Sequence, residues 1–179
     1  MIHEQRKLDH VRYALELPIT NKTGFSDLRF VHRAMPDCDL SDVSLATKVG
    51  GLNFSSPLFI NAMTGGAEET ERINRDLAEV ARRTGIAIAV GSQRAALNDE
   101  RLARTYSVVR EVNPDGIVIA NLGAGTSPED AQRAVEMIGA NLMQVHVNVA
   151  QELTMPEGDR SFRGLAEKIG RVVEELSVP

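Results

Sequence analysis

The sequence predicts an α/β fold built on a parallel sheet. Three observations carry that expectation: apolar strand-like runs recur, amphipathic helical stretches lie between them, and each run ends in a polar or glycine-rich cluster. The runs fall at 58–61, 86–90, 117–120 and 142–146, and their centres recur about every 26–30 residues. That spacing is close to the roughly 31 residues per unit of an eight-unit βα barrel of about 250 residues. Periodicity by itself leaves an open doubly wound sheet and a closed barrel both standing.

The chain of 179 residues opens on a charged stretch, 3–17, in which Leu8, Val11 and Leu15 recur at helical spacing until Pro18 ends it. Residues 19–57 have short β-type runs at 30–32, 43–45 and 52–54 between turn residues, and read as an extension with a small hairpin. The expected division is therefore an N-terminal extension over 1–57 and a barrel-like unit over 58–179.

The first helix of that unit presents Ile73, Leu77, Val80 and Ala81 on one stripe and ends at Thr84-Gly85. The second follows Asn98, with Leu102, Tyr106 and Val109 inward, and stops before Pro114. The third opens Ser127-Pro128-Glu129-Asp130, a cap, a first-turn proline and acids against the helix dipole, then carries Ala131, Ala134, Val135 and Ile138 to Gly139. The fourth uses Leu165, Ile169, Val172, Val173 and Leu176. Ser177-Val178-Pro179 then reads as the approach to a fifth strand, and the expectation is a chain truncated there.

Composition bounds the function. A net charge of −5 lacks the basic footprint of non-specific nucleic-acid binding. The single cysteine, Cys38, implies no intrachain disulfide. Residues 1–17 are charged throughout with no apolar h-region, so a secretory signal is not expected there, and no run in the sequence approaches the roughly 18 apolar residues that a membrane span needs. The expectation is a soluble cytoplasmic protein.

In parallel α/β folds ligands lie at the carboxyl ends of strands. The four ends here are Asn61-Ala62-Met63-Thr64-Gly65-Gly66, Gly91-Ser92-Gln93-Arg94, Asn121-Leu122-Gly123-Ala124-Gly125 and His146-Val147-Asn148-Val149-Ala150-Gln151-Glu152. Thr64-Gly65-Gly66 suits close approach of a flat ring or a phosphate, and equally a plain βα turn. Strand alternation puts Gln144, His146 and Asn148 on one face and Met143, Val145 and Val147 on the other. Unpaired buried polar groups cost about 1–3 kcal/mol each, so that row needs either a polar ligand or an internal network. Gln151-Glu152 follows in what reads as a loop, with Glu157, Asp159 and Arg160 nearby; one loop glutamate is enough for magnesium, which takes waters and phosphate oxygens besides. Arg6-Lys7 with His10 forms a small cationic patch on one helical side, or simply a solvated face.

Together these residues resemble the type 2 isopentenyl-diphosphate isomerases. The carrying motifs are Arg6-Lys7-x-x-His10, Phe30-Val31-His32, Phe59-Ile60-Asn61-Ala62-Met63-Thr64-Gly65-Gly66, Gly91-Ser92-Gln93-Arg94, His146 to Glu152, and Met155-Pro156-Glu157-Gly158-Asp159-Arg160-Ser161-Phe162. The resemblance spans the whole chain, aligned with about the first half of that family's length, and it favours barrel over open sheet. It implies the first four βα units of a TIM (β/α)8 barrel. It further implies an FMN enzyme interconverting isopentenyl and dimethylallyl diphosphate in isoprenoid biosynthesis, with Mg²⁺, with NADPH as flavin reductant, and as a homo-oligomer.

By the same resemblance Ala62, Met63, Thr64, Ser92 and Asn121 would contact FMN. Arg6, Lys7, His10, Ser92, Gln93, Arg94, His146, Asn148 and Gln151 would contact substrate, Glu152 would hold Mg²⁺, and Gln151 would position or relay a proton. The family's phosphate loops lie beyond Pro179, so this half-length chain alone is expected to be inactive. Two rival readings are another FMN barrel, of the 2-hydroxy-acid oxidase type, and a non-catalytic fragment.

Overall fold

The computed structural model describes residues 2–18, 24–156 and 158–179. Helix α1, Ile2–Glu16, is followed by short 3₁₀ turns at Gly24–Asp27 and Leu40–Asp42 and by the antiparallel hairpin β1, Thr47–Val49, and β2, Leu52–Phe54. Then come β3, Phe59–Ile60; α2, Thr70–Thr84; β4, Ala87–Ala89; α3, Arg94–Asn98; α4, Arg104–Val112; and β5, Val118–Gly123. The chain continues through α5, Pro128–Ile138; β6, Leu142–His146; α6, Val149–Thr154; and α7, Leu165–Glu175. The sheet order is β3-β4-β5-β6, parallel throughout, so the α/β expectation holds and the order is the one that successive βα units of a barrel take.

Local chemistry accounts for the helix ends. The Ser127 side chain accepts from the Asp130 amide with Pro128 in the first turn, and Gly139 closes α5 in the left-handed conformation. The second predicted helix, expected after Asn98, is a 3₁₀ turn at Glu100–Leu102 followed by α4, because Asp99 caps that turn by accepting from the Arg101 amide; α3, ahead of it, was not expected. The hairpin pairs Thr47–Val49 with Leu52–Phe54; the runs at 30–32 and 43–45 are not strands, and Phe30 is 99% exposed. Three apolar assignments also change. Leu15 is 83% exposed, Val80 47% and Val173 71%. On α2 the buried stripe is Thr70, Asn74, Ala78 and Ala81, the face turned to α4, and Val80 lies off it.

Alternation along the strands sorts the core into two sides. Ile88, Val90, Val118 and Ala120 join helix residues Ala78, Tyr106, Val109, Val135 and Ile138 in the larger cluster. Ala87, Ala89, Ile119 and Leu142 face the opposite way, where Phe54 of the hairpin packs on them. The inner face is thus apolar at the strands' amino ends, plugged by the hairpin, and polar at their carboxyl ends. At the open side of β6, the Met143 amide donates to the Pro179 carbonyl at 2.8 Å, so the last residue runs beside that strand. No described helix is long and apolar enough to cross a membrane.

Candidate functional site: a two-part cleft at the strand ends

The polar ends of the inner face meet one another. Asn121 lies opposite Gln144 in the β5–β6 register, and Gly123 lies opposite His146. The Asn121 amide donates to the Gln144 side-chain oxygen at 3.0 Å and to its backbone carbonyl at 3.2 Å. Gln144 donates onward to the Asn61 side chain at 3.3 Å, and His146 Nδ1 sits 3.1 Å from the Asn121 oxygen. Asn148 is no longer in this row. β6 ends at His146, and Asn148 caps α6, its oxygen accepting from the Gln151 amide at 3.1 Å and its amide donating to the Gln151 side chain at 3.1 Å. Val147, expected on the helix side, is exposed for the same reason. Gln151 and Glu152 therefore stand on a short helix rather than a loop.

Helix α1 brings the cations over this floor. Arg6 donates to the Met155 sulfur at 3.0 Å. Burial, reinforced by the charge of Arg6, lowers Lys7 from 10.5 to about 8. His10 is held below its usual 6.5, first by burial and then by Lys7 and Arg6, with Asp9 opposing. His146 is also lowered by burial and by Lys7, while Glu152 pulls the other way. Arg94 reaches in from the second strand end, anchored on Asp130 at 2.6 Å and Thr126 at 3.2 Å. Glu152 accepts from the Asp159 amide at 3.0 Å through one carboxylate oxygen, and Arg160 ties down the following turn through the carbonyls of Glu152, Gly158 and Met155.

The result is two adjoining hollows that share Lys7, His10, Ser92, His146 and Gln151. One, of about 630 Å³, is bordered by Asn61, Ala62, Met63, Asn121 and Gln144 and carries no further charge. The other, of about 540 Å³, is bordered by Arg6, Arg94, Asp130, Glu152 and Asp159. A largely neutral compartment, charged only through the shared Lys7 and His10, beside a densely charged one suits a ligand that is flat and uncharged at one end and anionic at the other. No group of three or more metal-ligating side chains occurs among the described residues.

Two expected contacts are not brought to this cleft. Gln93 is 0% exposed: its amide nitrogen donates to the Ala134 carbonyl at 2.8 Å and its oxygen accepts from the Asn121 amide N–H at 3.1 Å, fastening α5 to the sheet. It turns away because the chain leaving β4 still pairs with β5 there, the Gln93 N–H donating to the Asn121 carbonyl at 2.9 Å. The Thr64 hydroxyl meets the Asn74 side chain and borders a separate small apolar hollow against α1.

Gly65 and Gly66 serve packing. Their φ angles are +128° and +90°, and a Cβ on Gly65 would meet the ring of Tyr106. Tyr106 is fully buried beneath this loop and donates its hydroxyl to the Ser92 carbonyl at 2.7 Å. Asn74, which sequence reasoning passed over, pins the loop by donating to the Thr64 and Thr105 carbonyls. An asparagine beside Ile73 and one turn before Ala78, among the apolar positions of α2, was the available signal. From local sequence Asp130 reads as a helix-dipole acid alone, since its pairing with Arg94 spans two βα units. Glu157 lies outside the described residues.

No family model matches the chain. Curated relatives do. The chain is 51% identical over 180 aligned positions, covering 100% of itself, to proteins named isopentenyl-diphosphate delta-isomerase from Bacillus cereus (strain AH820) and Bacillus anthracis (strain CDC 684 / NRRL 3495). The same holds for the protein of that name from Bacillus mycoides (strain KBAB4). The match covers 52% of those proteins, so the chain spans about half the length of the curated relatives it resembles.

Proposed function

We propose that this chain forms the strand-end half of the active site of an FMN-dependent, type 2 isopentenyl-diphosphate isomerase. The observation that carries the reading is the joined pair of hollows, neutral on one side and lined by Arg6, Arg94 and Glu152 on the other, in a chain 51% identical to proteins bearing the isomerase name.

The residues present fit the groups this activity calls for. Ala62, Met63, Ser92 and Asn121 border the neutral hollow, whose 630 Å³ lies within the usual roughly 300–1,000 Å³ of cofactor sites, and these would hold FMN. When bound and reduced by NADPH, FMN would supply a ring able to carry an exchangeable proton beside the alkene. Glu152 would hold Mg²⁺. One of its oxygens is engaged by the Asp159 amide, and the other remains for a hard cation that takes the rest of its ligands from water and phosphate oxygens.

The chain's own side chains do the binding work. Arg6, Lys7 and Arg94 neutralise the diphosphate, with Arg94 pre-oriented by Asp130 and Thr126. His10 and His146 border the same compartment. Anchoring the diphosphate fixes the alkene toward the neutral hollow, so the reaction starts from an oriented complex. Isomerisation adds a proton at the terminal alkene carbon and removes one from the carbon two bonds away. Gln151, shared by both hollows and held by Asn148, would orient that exchange, though a neutral amide is too weak an acid to be its source.

The test is to incubate the full-length protein, reduced, with isopentenyl diphosphate and Mg²⁺. Dimethylallyl diphosphate should accumulate without net flavin oxidation. Oxidation of a 2-hydroxy acid in place of that product would transfer the chain to the rival oxidase class, and a colourless protein that converts neither would leave it non-catalytic.

A further inference from the structure

The row Asn61, Gln144, Asn121, His146 crosses the cleft floor from β3 to β6, and its hydrogen bonds run in one direction only. Backbone groups of fixed polarity decide this at both ends. The Asn121 side-chain nitrogen faces the Gln144 backbone carbonyl at 3.2 Å, a group that can only accept, so that atom must be the NH₂. Its other side-chain atom is therefore the oxygen, and it faces His146 Nδ1 at 3.1 Å. At the far end, the Asn61 side-chain atom 2.9 Å from the Ala62 N–H must be the oxygen. The Gln144 atom 3.3 Å from that oxygen is then the NH₂, which leaves the Gln144 oxygen to accept from Asn121 at 3.0 Å. Each amide assignment confirms the next, and no flip of either Asn121 or Gln144 satisfies all the contacts.

We infer that Asn61 and Gln144 are positioning residues that act through Asn121 to hold His146 as its Nδ1–H tautomer, with the Nε2 lone pair presented to the cleft. An imidazole's free nitrogen takes the role opposite to the one its other nitrogen is given. Neutral His146 therefore offers an uncharged acceptor in a compartment whose donors include Arg6, Lys7 and Arg94 and whose other acceptors include the carboxylates of Asp130, Glu152 and Asp159. A bare phosphate oxygen has nothing to give that lone pair. A protonated phosphate oxygen or a cation-bound water does, so the site favours an occupant that brings a hydrogen to Nε2. This rests on reading the charged hollow as a diphosphate site, but the tautomer is set by the protein's own ladder and can be read without turnover.

Histidine-selective ¹⁵N labelling of the full-length protein at pH 8 decides it, with His146 assigned by its loss in His146→Gln. The expected ring has a pyrrole-type Nδ1 and a pyridine-type Nε2, and inorganic diphosphate with Mg²⁺ shifts Nε2 while leaving Nδ1 nearly unmoved. Gln144→Leu removes the shorter of the two bonds that hold the Asn121 NH₂ and leaves only the 3.2 Å contact to the backbone carbonyl, so a fraction of the Nε2–H tautomer appears and inorganic diphosphate binding weakens several-fold. Gln144→Glu keeps an acceptor for Asn121 but loses the donor to Asn61 and adds a negative charge, so it retains the Nδ1–H tautomer while weakening inorganic diphosphate binding. An Nε2–H ring in the unmutated protein overturns the inference, and that measurement needs no variant to fold. An unchanged Nδ1–H ring in folded Gln144→Leu overturns it equally, and so does a mixed ring in Gln144→Glu.

Discussion

Lys7 titrates near 8 because burial and the neighbouring Arg6 both disfavour its ammonium. A diphosphate nearby favours the charged form, so the anion selects Lys7 while it is protonated. Affinity for inorganic diphosphate should therefore fall as pH rises above about 8, by up to about tenfold per unit for one linked proton. Lys7→Arg, which stays charged, should flatten that decline in a calorimetric titration. The stability sign is the opposite one: the folded value lies below 10.5, so the unfolded chain binds more protons between about 8 and 10.5 and Lys7's contribution to stability rises with pH across that window. Glu152→Gln keeps the shape of the side chain and removes its charge. It should raise the Mg²⁺ needed for half-maximal activity strongly while flavin absorbance stays with the protein; an unchanged Mg²⁺ dependence would take Glu152 out of the metal site. Neither residue was hard to single out from sequence, since both belong to compact motifs. Their proximity is different: it depends on α1 lying against the strand ends, where Lys7 and Glu152 line one hollow, and no local pattern encodes that.

Among elements, α1 and the loop after β3 show how far local reading reaches. The helix was legible from spacing and from Pro18, but its use was not. Its cations border the charged hollow, while Ala14 and Tyr13 border the neutral one. Arg6→Ala and Lys7→Ala should accordingly weaken inorganic diphosphate binding more than flavin binding; equal losses would make α1 a structural lid. The Thr64-Gly65-Gly66 loop left two readings open, and Tyr106 decides between them. Gly65→Ala combines a φ of +128° with a collision against the buried Tyr106 ring, and should destabilise by about 2 kcal/mol or more in denaturant unfolding. Helix α5, by contrast, was readable end to end, because its cap, first-turn proline and terminal glycine are all local chemistry.

For the whole molecule, the inner face of the sheet matters most. Its apolar half is covered by Phe54 of the hairpin, yet Leu58 and Phe59 at the β3 side remain exposed. Exposed strand edges with apolar side chains recruit further strands. The 179-residue polypeptide by itself should therefore self-associate, bind FMN poorly and isomerise nothing detectable. Size-exclusion chromatography with light scattering, read beside the flavin absorbance of the same peak, tests all three; a yellow, active monomer would refute them.

The sequence by itself determined the four strands of the parallel sheet to within about three residues, the caps of α5, the α/β class, and the clustering of polar groups at the strand ends. All of these follow from periodicity, capping and β-strand alternation, which act over a few neighbouring residues. Tertiary structure alone decided which of those polar groups share a space. Gln93 and Arg94 are adjacent in sequence, yet one fastens α5 to the sheet and the other enters the charged hollow. Asn61 and Gln144 are 83 residues apart and form one hydrogen bond. A side chain's chemistry is written in the sequence, but its partners are set by which strands the fold lays side by side and by where each strand stops.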